Sequence, residues 1–123
     1  MIKSCFTCIS ILFYVSIFAQ GESNIWYFGM NAGLNFNSNP PTPLLDLPIG
    51  TFSSEGCSTI SDSNGNVLFY TNGEKVWNKN FQVMFNGNNL AGHNSSTQSS
   101  AIIPYPGTYN FTENRFDKYF LVT

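Results

Sequence analysis

The sequence predicts an all-β protein, a partial β-propeller of about two blades of antiparallel sheet after an N-terminal signal peptide. Three observations lead there. Short apolar runs alternate with tight turns built on Asn and Gly, residues that tolerate the positive φ of hairpin turns. One of those runs, Val67-Leu68-Phe69-Tyr70, is apolar on both faces. A half-solvated sheet would alternate, so both sides of this strand must be covered, as they are when small sheets stack. The third observation is an internal echo. Ser58-Thr59-Ile60-Ser61 and Val67-Leu68-Phe69-Tyr70-Thr71 are matched by Ala101-Ile102-Ile103-Pro104 and Tyr119-Phe120-Leu121-Val122-Thr123. The offsets are 43 residues (Ile60 to Ile103) and 52 (Thr71 to Thr123), and propeller blades repeat at roughly 40–50.

Ile25-Trp26-Tyr27-Phe28-Gly29 forms the first predicted strand and Gly33-Leu34-Asn35-Phe36 a second, short one. Residues 37–47 contain Pro40, Pro41 and Pro43 and precede Pro48. Proline removes a donor and fixes φ, so this stretch is expected to be a loop crossing between sheets. Further strands are expected at 56–61, 66–71, 75–78 and 81–85, with turns at 62–66 and 72–74. A polar, Gly-containing loop covers 86–96. Strands return at 98–103 and 118–122, and 104–116 is expected to be the turn between them. No helical 3.6-residue period is evident after residue 20.

The N-terminus reads as an export signal over 1–19. Lys3 supplies the basic start, Ile9 to Phe18 the apolar core, and Ala19-Gln20 the cleavage point. The apolar run from Cys5 to Ala19 is shorter than the roughly 20 residues that span a bilayer. Cys5 and Cys8 lie ahead of the apolar core Ile9 to Phe18, whereas a lipidated cysteine would end it. The mature chain is then 20–123, the N-terminal fragment of a propeller domain, with four cations against seven acids. It has no basic block with which to neutralise phosphates, which excludes nucleic acid as a partner. Cys57 remains as its lone cysteine, so no internal disulfide forms, and a small apolar role in a strand is expected for it. Few charges with many aromatics, 16% of the chain, argue for a folded secreted β domain and against disorder.

About two blades fall short of the roughly four to eight of closed propellers. Residues 119–123 form an apolar strand at which the sequence stops. The expectation is an N-terminal piece of a longer protein, with the Trp26 strand closing the ring against a last blade.

A longer succession carries a family resemblance. It runs through Trp26-Tyr27-Phe28-Gly29-Met30-Asn31-Ala32-Gly33-Leu34-Asn35-Phe36, Glu55-Gly56-Cys57-Ser58-Thr59-Ile60-Ser61-Asp62, Gly65-Asn66-Val67-Leu68-Phe69-Tyr70-Thr71-Asn72-Gly73 and Val76-Trp77-Asn78. Gln82-Val83-Met84-Phe85-Asn86-Gly87 and Ser95-Ser96-Thr97-Gln98-Ser99-Ser100-Ala101-Ile102-Ile103-Pro104-Tyr105-Pro106-Gly107 complete it. This order resembles the N-terminal propeller region of large bacterial surface proteins exported by type IX secretion. In those proteins a gliding-motility-associated C-terminal sorting domain, often preceded by PKD domains, carries the export signal. The resemblance implies a secreted or cell-surface protein linked to adhesion or gliding. It supplies no catalytic residues, and neither a sorting domain nor a PKD repeat is present in this sequence.

Candidate chemistry is sparse. Asp62-Ser63-Asn64-Gly65-Asn66 spaces oxygen side chains as calcium loops do, but the twelfth position of such a loop is Gly73 where a bidentate Glu is needed. A hairpin turn accounts for Asp, Asn and Gly without a metal. His93, the sole histidine, adjoins Asn94, Ser95 and Ser96, without a nucleophile-elbow pattern or an evident orienting acid apart from Glu55 and Asp62. Scattered acids give no defined pair for glycoside cleavage. Trp26, Tyr27, Tyr70 and Trp77 fit a sugar-stacking platform if exposed, and core packing between sheets if not; packing is the expected use. Asn94-Ser95-Ser96 and Asn110-Phe111-Thr112 match the glycosylation sequon, which Asn/Ser-rich loops produce by chance. No catalytic, cofactor-binding or metal-binding residue is therefore assigned, and no cofactor is expected. The expected function is non-enzymatic: an extracytoplasmic interaction or adhesion module of a large bacterial cell-surface protein. Its partners would be a surface glycan or protein and the rest of its own propeller, with no membrane span after signal cleavage. A propeller part of a secreted polysaccharide-degrading enzyme and a purely structural spacer are the alternatives.

Overall fold

The computed structural model describes residues 21–29, 31–45, 47 and 55–123. The predicted signal at 1–19 lies outside them. The described residues form an all-β structure of small antiparallel sheets, with one 3-10 turn (Gly21–Ser23) and no α-helix. No helix among them is long and apolar enough to cross a membrane.

Of the four sheets among the described residues, three follow one another along the chain and the fourth is a hairpin beside the third. The first is a meander of β1 (Ile25–Phe28), β2 (Ala32–Asn35) and β3 (Thr42–Leu44). The second is a meander of β4 (Ser58–Ser61), β5 (Val67–Thr71) and β6 (Val76–Asn78). In the third, β7 (Ala101–Pro104) pairs with β10 (Tyr119–Val122), and the hairpin β8 (Tyr109–Asn110) and β9 (Arg115–Phe116) extends it outward. Two backbone bonds join the two parts, Tyr105 N to Lys118 O (2.9 Å) and Asp117 N to Thr108 O (3.0 Å). The described strands do not close into a ring.

The turns show why these strands pair. In the β4–β5 turn, Asp62 Oδ1 accepts from the backbone N–H groups of Asn64 and Asn66, both at 2.9 Å, and Gly65 takes φ 81°. A register shift between Ile60 and Ser61 lets Ser61 pair with Val67, the local bend of a β-bulge. In the β5–β6 turn Asn72 Oδ1 accepts from Glu74 N (3.0 Å) and Lys75 N (2.9 Å), with Gly73 at φ 89°. Both predicted turns are therefore real, and each is closed by its own polar side chain.

Four expectations are corrected. The proline-rich stretch 37–47 includes β3, where Pro43 pairs with Leu34. β3 lies at the edge of its sheet, the place where a missing donor costs least. The predicted strand 81–85 is reduced to one bridge, Trp77 with Val83. A turn beginning at Met84, with Gly87 N donating to Met84 O (2.9 Å) and Asn86 at φ 57°, bends the chain out of register. The third sheet starts at Ala101 and not at Gln98, because 96–99 bonds to β4's approach instead: Gly56 N donates to Ser96 O (3.1 Å) and Ser99 Oγ to Gly56 O (2.6 Å). The stretch 104–116 is not a plain turn but contains β8 and β9.

The core is aromatic and centred on β5. Tyr70 and Trp77 are buried and stack with centroids 5.2 Å apart and planes 9° from parallel. Tyr27 of β1 meets Tyr70 edge-on at 5.0 Å, and Phe81 lies 6.0 Å from it. The neighbouring residue Phe69 meets Tyr119 of β10 at 5.3 Å. Successive strand residues point to opposite faces, so β5 is covered on one side by the first sheet and on the other by the third. This is the two-sided cover that its sequence required.

Candidate binding groove

The first strand of each sheet, β1, β4 and β7, lies against the next. Hydroxyls join β4 to β7: Ser58 Oγ donates to Ser100 O (2.7 Å), and Ser100 Oγ to Ser58 Oγ (3.1 Å). Between β1 and β4, Tyr27 N donates to Thr59 Oγ1 (3.3 Å) and the Cys57 thiol donates to the Tyr27 carbonyl. Burial pushes the Cys57 thiol above its ordinary value of 9.0 and the Tyr27 phenol above 10.0. That thiol is a packed, bonded group and poor in thiolate.

Along these strands runs an open groove of about 630 Å³. Trp26 and Phe28 contribute exposed rings, Trp26 at 54% and Phe28 at 42% of their surface. The Trp26 ring is held from two sides. Its Nε1 donates to Ser23 O (2.8 Å), and Phe36 packs at 4.9 Å between centroids. Thr97 Oγ1 donates to Glu55 Oε2 (3.4 Å), and both exposed residues also line the groove. Ser58, Thr59 and Ile102 also line it, and among the described residues no Lys, Arg or His does.

A second cavity of about 670 Å³ opens between the second and third sheets. Its floor is apolar, with Leu68, Val76 and Leu121, and its rim mixes Lys79 and Arg115 with Glu113 and Asp117. Arg115 Nε lies 3.8 Å from Glu113 Oε2, an exposed pair, so the rim is largely self-compensated.

The other residues singled out in the sequence fall elsewhere. Asp62 spends both carboxylate oxygens on its own turn, accepting from Asn66 Nδ2 (3.3 and 3.0 Å) as well as from the backbone. His93 sits in an exposed turn where Nδ1 meets Ser95 N (3.2 Å) and Ser95 Oγ (2.9 Å). That contact spans two residues and closes the turn. The neighbouring carboxylate, Glu74, accepts from Asn94 N (3.2 Å). Among the described residues no three His, Cys, Asp or Glu side chains gather as a metal set. Of the two sequons, Asn110 uses Oδ1 to accept from Thr112 N and Glu113 N (3.0 and 3.1 Å).

Tyr70 and Trp77 are core residues as expected, and Tyr27 packs half-buried. Trp26 is not in the core, against expectation. The alternation in Ile25-Trp26-Tyr27-Phe28 was the available signal: Ile25 and Tyr27 face the second sheet while Trp26 and Phe28 face away. With apolar residues in both sets, the sequence does not say which set is covered. No family model matches this chain, and neither a curated protein nor a solved structure does.

Proposed function

We propose that this chain is an N-terminal β-propeller segment, exported by a signal at 1–19, that serves as a non-enzymatic adhesion or interaction module at a bacterial cell surface. One observation supports the propeller reading above others. Three small antiparallel sheets succeed one another with their first strands adjacent, and the middle one is packed on both faces by its neighbours. Stacked blades have this arrangement. The chain running beside β6 through the Trp77–Val83 bridge sits where a blade carries its fourth strand. The binding role is supported by an open groove that holds the Trp26 ring, fixed by Ser23 O, while His93, Asp62 and Glu74 lie outside it and are occupied by loop hydrogen bonds.

The test combines binding and turnover. The full-length protein is applied to cells and to glycan- and protein-coated surfaces, and the same preparations are assayed for polysaccharide cleavage. Saturable binding without turnover is expected. Cleavage abolished by a loop substitution in this segment would overturn the reading. Mass spectrometry of the exported protein is expected to find a mature N-terminus at Gln20.

A further inference from the structure

The backbone is pinned to the fold from Gly21 onward. Gly21 is buried, its N–H donates to Ser63 O (3.2 Å), and a side chain at this position would strike Gly65 N and Ser63 O. Asn24 N donates to Gly21 O (3.0 Å), which closes the 3-10 turn, and Gly21–Ser23 lies against β4. Chain termini commonly fray unless something ties them down; here the tie is at residue 21. Removal of a signal at 1–19 leaves a single residue ahead of that anchor, Gln20. Gln20 itself lies outside the described residues.

An N-terminal glutamine carries its own reaction partner. The α-nitrogen attacks the side-chain Cδ, and the new N–Cδ bond closes a five-membered lactam. The Cδ–Nε2 bond breaks, and Nε2 leaves as ammonia with the proton that the α-amine gives up. No oxidant, reductant or second substrate is consumed, and an attack within one residue has a high effective concentration. While the signal is attached, the same nitrogen belongs to the Ala19–Gln20 peptide bond and is no nucleophile. The lactam has no ammonium, so it also removes a charge from the residue joined to buried Gly21.

We propose that Gln20 of the exported protein is converted to pyroglutamate, a terminus closed to aminopeptidases that need a free α-amine. The inference rests on the export reading above and adds a covalent modification to it. Trimming past residue 20 would delete the Gly21 bond to Ser63 and the contact with β4, so the block guards the anchor.

The test labels amines before digestion. The full-length exported protein is reductively methylated, which caps every free amine and prevents cyclisation during later handling. The chymotryptic peptide from Gln20 to Trp26 is then weighed. A peptide lighter by one ammonia and free of methyl groups is expected. Gln20→Asn should be recovered fully methylated, because its shorter side chain would have to close a strained, smaller ring. A methylated peptide with Gln20 intact would overturn the modification and leave the export reading standing. It would also place an α-ammonium two residues from Glu22, whose Oε1 is buried without a hydrogen-bond partner. A terminus at any other residue, or an uncut signal, would overturn both readings.

Discussion

Phe81 stands in the turn after β6 where Gly65 stands in the turn after β4. The two turns have the same bonds. The first residue, Asp62 or Asn78, accepts at its side-chain oxygen from the N–H groups two and four residues on, at 2.9 and 2.9 Å or 2.9 and 3.1 Å. Its backbone N–H donates to the fifth residue's carbonyl (2.8 or 2.9 Å), and the fourth residue's N–H returns to its own carbonyl at 2.9 Å in both. That fourth residue has positive φ, 81° at Gly65 and 61° at Phe81. Glycine adopts this conformation freely; phenylalanine pays about 1–2 kcal/mol for it.

The two positions should therefore respond differently to substitution. Gly65→Ala would drive a Cβ into the Asn37 amide, which bonds Gly65 O at 3.0 Å, at a backbone angle alanine resists. A loss of about 1–3 kcal/mol in urea unfolding is expected. Phe81→Gly relieves strain but removes a ring that packs against Tyr27 and Tyr70. The packing should prevail, with a net loss of about 1–2 kcal/mol. A stabilised Phe81→Gly would mean that the ring contributes less than the strain costs.

Tyr70 should make the fold sensitive to alkali. Burial, and then the nearby Tyr27 phenol, push its pKa far above the ordinary 10.0. A group whose folded pKa is raised contributes stability that is complete below its unfolded value and declines above it. The melting temperature should accordingly hold through neutral pH and fall as pH rises beyond about 10, where phenols of the unfolded chain ionise. The Tyr70 hydroxyl is buried with no partner. Tyr70→Phe should then be neutral or stabilising by about 1 kcal/mol, and should flatten the alkaline decline. Thermal melts of both proteins from pH 7 to 11 would decide it.

Cys57 should label slowly. Its thiol is tied to the Tyr27 carbonyl and burial raises its pKa. Alkylation by iodoacetamide at pH 8 is expected to be slow in the native protein and fast in urea, read by mass spectrometry. Equal rates would mean that β1 and β4 separate readily in solution.

Ser99 is the most constrained member of the serine contacts between the second and third sheets, at 4% exposure. Its Oγ donates to Gly56 O (2.6 Å), and its carbonyl oxygen and Cβ fill the space that a Cβ at Gly73 would take. Ser99→Ala removes one buried bond and should cost about 1–2 kcal/mol. Ser99→Val adds bulk against Gly73 and should cost more, by about 1–3 kcal/mol. Chemical denaturation midpoints would rank the two.

The second sheet was the most legible part of the sequence, because its turns are written in residues with one dominant use. Asp62 through Asn66 and Asn72-Gly73 close on their own side chains, and β5 announces two-sided burial by its composition. Less was legible where geometry departs from residue preference. Nothing in Phe81 signals a positive φ, and a strand was expected where a turn stands. Pro43 argued for a loop and occupies an edge strand. β8 and β9, two residues each, are too short for any period to register. The groove was hidden for another reason. Both faces of β1 are apolar, and only packing against the second sheet reveals that Tyr27 turns inward while Trp26 is left in water.

The turn bonds and the serine bonds also differ in reach. Asp62, Asn72 and Asn78 bond to residues two to four positions away. The links between sheets span 30, 42 and 43 positions. Bringing distant segments together costs more chain entropy than closing a short loop, and long-range contacts set the pace of folding. Amide protection after dilution from denaturant should therefore reach Asn66 and Lys75 before Gly56. The expected folding order follows the reach of the polar residues, hairpins closing first on their own Asp and Asn side chains and the serines joining the sheets afterwards.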